Sequence, residues 1–237
     1  MSDLTTTSYL ILGLLTSRDW SAYELTEQMG RGLVEIWPRA GRHWYDAPKR
    51  LLADGLITAR KETSAGRRQR TVYSITRSGR KALRRWLATT PDPPALEFEG
   101  MVRVLVAEQG SLDDLRATLR TIEEQARVRR TLFEAHADHI LATGGTFPER
   151  EHLFALSTEF MIGHFTHLAE WASWAQARTD TWADTVTPAT THHDESRSIL
   201  ARGAGAHAVP PAHPTAVKRS AEKAARKAAA KKRASPR

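Results

Sequence analysis

Cysteine is absent from the 237 residues. That excludes a disulfide framework, a thiolate zinc site, an iron–sulfur cluster and a cysteine nucleophile. Long apolar runs are also missing: the most hydrophobic stretch, residues 9–15, is far too short to cross a bilayer. It has neither the basic flank nor the small-residue cleavage site of a signal peptide, so the chain reads as soluble and cytosolic, with no membrane partner. There is no G-x-S-x-G, no Walker loop and no G-x-G-x-x-G, and Gly30-Arg31-Gly32 and Gly203-Ala204-Gly205 follow no strand pattern. Neither an enzyme nor a cofactor is expected. The ten histidines include the i,i+3 pairs His136/His139 and His164/His167, and the adjacent His192-His193. Without Cys, an H-E-x-x-H or a carboxylate triad to complete a ligand set, they read as polar or interfacial side chains, and no metal is expected.

Charge is abundant and unevenly placed. Residues 1–90 hold 16 Lys+Arg against 8 Asp+Glu, residues 91–195 hold 8 against 18, and residues 196–237 hold 11 against 1. Two basic blocks thus flank an acidic one. Basic blocks of this kind suit a polyanion, nucleic acid above all, while the acidic middle argues against binding over the whole surface.

The first block has a recognisable order. Residues 5–17 are apolar enough for a buried helix. Ser21-Ala22-Tyr23-Glu24 is an S-x-x-E capping box opening a second helix to about Ile36, with Leu25, Met29 and Leu33 on one face, before Pro38 stops it. A third helix is predicted over 41–54, with Gly55 as its C-terminal stop. Residues 56–59 and the alternating 70–76 then form a hairpin with a basic tip, Arg67, Arg68 and Arg70. Thr76 or Ser78 caps a fourth helix to about Leu87, ended by Pro91, Pro93 and Pro94. Three helices, a basic hairpin and a fourth helix make a winged helix-turn-helix, whose third helix enters the major groove while the hairpin lies along the backbone.

Beyond the proline-rich linker the pattern is helical. A short helix is expected over 96–107 and a longer one from Ser111 to about Leu141, with Asp113 and Asp114 favouring its N-terminal dipole and Leu112, Leu115, Leu119, Ile122, Ala126 and Leu132 as its stripe. Gly144-Gly145 breaks it. A last helix, 148–177, places Leu153, Leu156, Phe160, Phe165 (or His164), Leu168 and Trp171 at mostly helical spacing. These stripes exceed what so small a subdomain can bury, which predicts a second subunit. From about Thr187 the periodicity ends, and the Ala/Lys/Arg-rich tail is expected to be disordered when free. The fold class is therefore mainly α: a winged helix-turn-helix with a small β-hairpin wing over 1–90, a helical dimerisation and effector domain over 96–182, and a disordered basic tail over 187–237.

Residues 9–87 resemble the PadR family of bacterial transcriptional regulators. Tyr9-Leu10-Ile11-Leu12-Gly13-Leu14-Leu15 resembles its opening "LGLL" helix, and Tyr23-Glu24-Leu25 its "GYEL" second-helix start. Tyr45, Lys49-Arg50-Leu51 and Gly55-Leu56-Ile57 are similar to its recognition helix, and Val72-Tyr73-Ser74-Ile75-Thr76 with Gly79 to its wing strand and "LT-x-x-G". The resemblance implies a cytosolic homodimer that binds a palindromic operator on double-stranded DNA, usually as a repressor. Two residues depart from the pattern. Asp46 stands where the family has proline, placing a negative charge near the expected phosphates. Pro48 stands where the family has a core leucine; inside a helix over 41–54 it predicts a lost hydrogen bond and a bend. The basic tail lies outside the pattern and resembles the Lys/Ala/Pro extensions of histone-like nucleoid proteins.

The candidate DNA contacts are Arg39, Arg42, His43, Tyr45, Lys49 and Arg50 on the third helix, and Arg67, Arg68 and Arg70 on the wing. Arg42 is the expected base reader, since a guanidinium pairs bidentately with guanine. Lys49, Arg50 and the wing arginines are expected to hold phosphates. The tail offers Lys218, Arg219, Lys223, Arg226, Lys227, Lys231, Lys232 and Arg233 for nonspecific DNA contact. Trp20, Trp37 and Trp86 read as core or domain-packing residues, and Trp44 as core. Trp171 and Trp174 have two readings: lining a pocket for an aromatic effector, or the simpler one of packing against a partner helix. Two rival functions remain, a nucleoid-associated architectural protein dominated by its tail, and a protein-interaction module with residual DNA binding.

Overall fold

The computed structural model describes residues 4–30, 33–37, 46–63 and 69–204. The chain divides into two compact units, Met1–Gly100 with Arg120–Ser173, and Met101–Leu119 with Trp174–Arg237.

The first unit begins with helix α1 (Thr6–Leu14), capped by the Thr5 hydroxyl, which accepts the Ser8 amide at 3.2 Å. Its apolar density has the expected consequence: Ile11, Leu12 and Leu15 are almost wholly buried, each such burial stabilising the fold by about 1.5–3 kcal/mol. The break predicted at Arg18-Asp19-Trp20 contains a short strand, β1 (Trp20–Ser21), which pairs antiparallel with the later strand at Trp20↔Tyr73 and Ser21↔Val72. Two residues carry too little alternation to be seen as a strand in sequence. Trp20 is buried as expected, its indole donating to the Leu14 carbonyl at 3.1 Å.

Helix α2 (Ala22–Gly30) opens on the capping box. The Glu24 amide donates to the Ser21 hydroxyl at 3.2 Å, and the Ser21 amide to the Glu24 carboxylate at 2.8 Å. Burial opposes ionisation of Glu24, but the Ser21 hydroxyl and amide and the Arg18 guanidinium outweigh it and lower its pKa to about 2. The described helix runs to Gly30, and Leu33–Ile36 are again helical, as α3; residues 31 and 32 between them lie outside the described residues.

Helix α4 (Ala47–Ala53) is the described part of the helix expected over 41–54. The expected bend at Pro48 is corrected by its position. Pro48 lies in the first turn, where its missing N–H would have no intrahelical acceptor, and its ring is buried. Gly55 stops the helix at φ +65°, a left-handed conformation that disfavours any side chain.

Strands β2 (Ile57–Thr63) and β3 (Gln69–Ile75) pair antiparallel from Ile57↔Ile75 to Thr63↔Gln69, giving the sheet order β1-β3-β2. Thr76 caps helix α5 (Arg77–Leu87), accepting the Gly79 amide at 3.0 Å. Trp86 stacks on Tyr9 with centroids 4.7 Å apart. Trp37 departs from its expected core role and is 37% exposed; Trp44 lies outside the described residues.

Helix α6 (Glu99–Leu105) follows the exposed proline-rich linker. The two long helices are α7 (Leu112–Thr143) and α8 (Glu151–Thr179), separated by Gly144-Gly145 and a 3₁₀ turn at Pro148–Arg150. Within the first unit they share a core of Ala126, Phe133, Met161, Phe165 and Ala169. Of the expected stripes, Leu115, Leu119, Ile122, Ala126 and Phe165 are buried within the single chain. Phe133, seven residues from Ala126, takes an inner place beside Ala126 and Phe165, while Leu132 on α7 and Leu153, Leu156 and Phe160 on α8 are left exposed, as a stripe awaiting a second subunit would be. An apolar-rich helix has more than one face that could be buried, and only packing chooses among them.

In the second unit, Ser111 and Asp114 form a reciprocal cap on α7, with both backbone-to-side-chain bonds at 3.1 Å. Arg116 donates to the Thr179 carbonyl at 2.6 Å. Ordered helix continues past Thr187 as α9 (Pro188–Thr191) and α10 (His193–Ala204), whereas the sequence pattern ends there. These helices bury little and are held by local polar contacts. The Asp184 carboxylate accepts the Val186 and Thr187 amides, and Glu195 pairs with Arg178 at 2.8 Å.

Candidate nucleic-acid interface

Helix α4 is seated by one face and exposed by the other. Ala47, Pro48 and Leu51 are buried, Ala47 and Leu51 in the core that includes Ile11, Leu12 and Leu25 of α1 and α2, so Lys49 and Arg50 face solvent. Lys49 is not fully available to an outside anion, because its ammonium lies 3.2 Å from the Asp46 carboxylate. Arg50 has no ion pair among the described residues. Of the other residues expected on this helix, Arg39, Arg42, His43 and Tyr45 lie outside the described residues.

The wing carries a charge network that sequence reasoning missed. Cross-strand register places Glu62 opposite Arg70. Glu62 bridges two arginines: one oxygen meets Arg70 at 3.0 Å and the other Arg60 at 2.8 Å. Arg60 also bonds Asp19, at 2.5 Å, and the Ser74 hydroxyl, at 3.1 Å. The hydrogen bonds from Arg60 first and Arg70 second hold the Glu62 carboxyl below its ordinary range. Arg60, with help from Ser74, lowers that of Asp19, and the two acids raise that of Arg60. All four groups reach solvent, so the pairs contribute little stability individually; their importance is to charge. Arg70 is exposed on the wing as expected, yet its guanidinium is already partnered. The one available signal was R-x-E on β2, because alternate residues share a strand face, and the β3 partner appears once the register is set. Arg67 and Arg68, at the expected tip, lie outside the described residues, as do Lys218, Arg219, Lys223, Arg226, Lys227, Lys231, Lys232 and Arg233 of the tail.

A cavity of about 640 Å³ lies within the first unit. Leu10 and Leu14 of α1, Ile36 of α3, Phe133 and Ile140 of α7 and Phe154 of α8 supply apolar walls, and His136, His139 and Arg150 supply polar ones. Arg150 also donates to the Gly13 carbonyl at 3.2 Å and to the Thr16 hydroxyl at 2.8 Å, tying the start of α8 to the end of α1. Trp171 and Trp174 are not among the lining residues. Trp171 is half-buried, and Trp174 is 36% exposed.

Residues 11–85, from α1 through almost all of α5, match the transcriptional regulator PadR-like family. The chain carries a PadR-like winged helix. The chain is 30% identical over 96 residues to the negative transcriptional regulator PadR of Bacillus subtilis (strain 168). That alignment covers 40% of this chain and 53% of the regulator, so the chain spans about half the length of its relative. Among solved structures, Bacillus subtilis PadR in complex with operator DNA superposes with a TM-score of 0.64 at 20% identity, covering 74% of this chain and 99% of that one. The same protein in complex with p-coumaric acid gives 0.59 at 21% identity, with 74% and 99% covered. The likeness in fold to these structures therefore extends past the winged helix into the helices that follow it.

Proposed function

We propose that the chain is a DNA-binding transcriptional regulator, a cytoplasmic homodimeric repressor that reads a palindromic operator on double-stranded DNA. The observation that carries this is α4, buried on one face and presenting Arg50 and Lys49 on the other beside a basic two-stranded wing, inside a segment matched by a family of regulators and not of enzymes. Arg42 reads a base, while Lys49, Arg50, Arg67, Arg68 and Arg70 hold phosphates; removing one good base-reading side chain takes away about 1–3 kcal/mol of discrimination. The name of the Bacillus subtilis relative, a negative regulator, supports repression. Dimerisation is supported by exposed Val128 and Leu132 on α7 and Leu153, Leu156 and Phe160 on α8, apolar side chains with no cover in the single chain. The tail over 208–237 adds nonspecific affinity through counterion release. The cavity takes a small aromatic effector, supported by its apolar walls, by Arg150 within it, and by the solved complex of a similar fold with an aromatic acid.

Mapping bound sites across the genome with the full chain, and footprinting one of them in excess random duplex, tests the proposal. A discrete footprint of two half-sites is expected, lost on Arg42→Ala far more than nonspecific binding is. Uniform coverage with no footprint would instead establish the architectural reading.

A further inference from the structure

Helix α5 follows the wing and takes no part in the base and phosphate contacts proposed for α4 and the hairpin. Its inner face, Gly79 and Ala82, is buried, while Arg77, Arg80, Lys81, Arg84 and Arg85 are all exposed on the outer one. The helix contains no acid. Most other cations of the described first unit differ: Arg18, Lys49, Arg60, Arg70, Arg127, Arg129 and Arg130 each pair with a carboxylate, and those without an ion pair, Arg50, Lys61 and Arg120, stand apart from one another on different elements. Among the described residues none of the five on α5 pairs with a carboxylate. They are also one another's neighbours: Arg77/Lys81, Arg80/Arg84 and Lys81/Arg85 are i,i+4 pairs, an arrangement that repels in the free helix. An outside polyanion relieves that repulsion.

We infer that the outer face of α5 is a second, sequence-independent contact with the phosphate backbone of duplex DNA. The inference rests on the DNA-binding reading above. Two observations favour DNA over an acidic protein. The face has no apolar centre, its single large exposed apolar side chain being Leu87 at the last position, whereas protein interfaces gather aromatic and apolar groups at their core. The helix also continues directly from the wing, with only Thr76 between β3 and Arg77. From Arg77 to Arg85 the axis rises about 12 Å, long enough to follow a few successive phosphates on one strand. Such contacts fix the register of the protein on the duplex and read no sequence.

The full chain and its Arg80→Gln/Arg84→Gln/Arg85→Gln variant can be compared on a random-sequence duplex, by fluorescence anisotropy over a series of salt concentrations. The expected result is a slope of log K against log salt shallower by up to about 2.7, at about 0.9 for each of three phosphates no longer neutralised. The corresponding triple Arg→Lys variant should keep the original slope, since charge alone suffices. Thermal melting of the glutamine variant should not fall, because its removed neighbours were repulsive. A parent chain that binds the duplex while the glutamine variant keeps the same slope overturns the inference and leaves an acidic protein as the occupant. A parent chain that binds no duplex at low salt overturns the DNA-binding reading as well.

Discussion

Replacing Gly79 by alanine should unfold the winged helix far more readily than the size of a methyl group suggests. A Cβ at this position would lie 2.1 Å from the Leu56 carbonyl oxygen and 2.9 Å from Cγ1 of Ile75. The first is backbone and must move by about 1 Å to restore van der Waals contact, which in a packed interior costs about 1–3 kcal/mol. That carbonyl is itself pinned, accepting the Thr76 amide at 3.1 Å and the Thr76 hydroxyl at 3.0 Å; weakening those bonds adds about 0.5–1.5 kcal/mol each. Alanine returns only about 1 kcal/mol of helix propensity. Destabilisation therefore wins, by about 1–5 kcal/mol, or a fall in Tm of roughly 2–20 °C for a chain of this size. Gly163 supplies the control. It lies in the middle of α8 with nothing within 4 Å of its would-be Cβ, so Gly163→Ala should raise stability by up to about 1 kcal/mol. Thermal and urea unfolding followed by circular dichroism measure both variants. Equal stability of Gly79→Ala and the parent, or equal losses at the two glycines, would refute the reasoning.

Glu62→Gln frees Arg70 and leaves Arg60 to Asp19 alone, so binding to random duplex should tighten and its salt dependence steepen by up to about one in slope; weaker binding would show that Glu62 positions the arginines instead. The Glu24 carboxyl, lowered from 4.5 to about 2 in the folded chain, adds stability that is present above its unfolded pKa and drains away as pH falls toward 2. Denaturant midpoints between pH 5 and pH 2 should consequently fall less steeply for Glu24→Gln than for the parent. If the proposed dimer forms through the exposed apolar faces of α7 and α8, Leu132→Glu with Leu156→Glu places charge in its seam, so sedimentation is expected to show dimer for the parent and monomer for the variant, with the circular dichroism spectrum unchanged; a parent that sediments as monomer refutes the dimer.

Features encoded over a few neighbouring residues were legible from residue order alone. Ser21 and Glu24, Thr76 and Gly79, and Ser111 with Asp114 specify helix starts because a cap is satisfied within four residues. Gly55 specifies a stop through its own φ. The order of these signals along 1–90 was enough to reveal a winged helix-turn-helix, and the charge blocks pointed to a polyanion. Tertiary structure decided whatever depends on partners remote in sequence. Which face of α7 and α8 turns inward was settled by Phe133 meeting Phe165, with ring centroids 5.9 Å apart. Pro48 became harmless through where its helix begins, and Trp20–Ser21 became a strand only because β3 lies beside it. Most consequential for function, the cations were countable in the sequence, but their availability was not. Arg70 and Arg60 are occupied by Glu62 and Asp19 across the sheet, while α5 keeps five charges without a partner among the described residues, because ion pairing depends on distances of a few ångströms that exist only after the chain has folded.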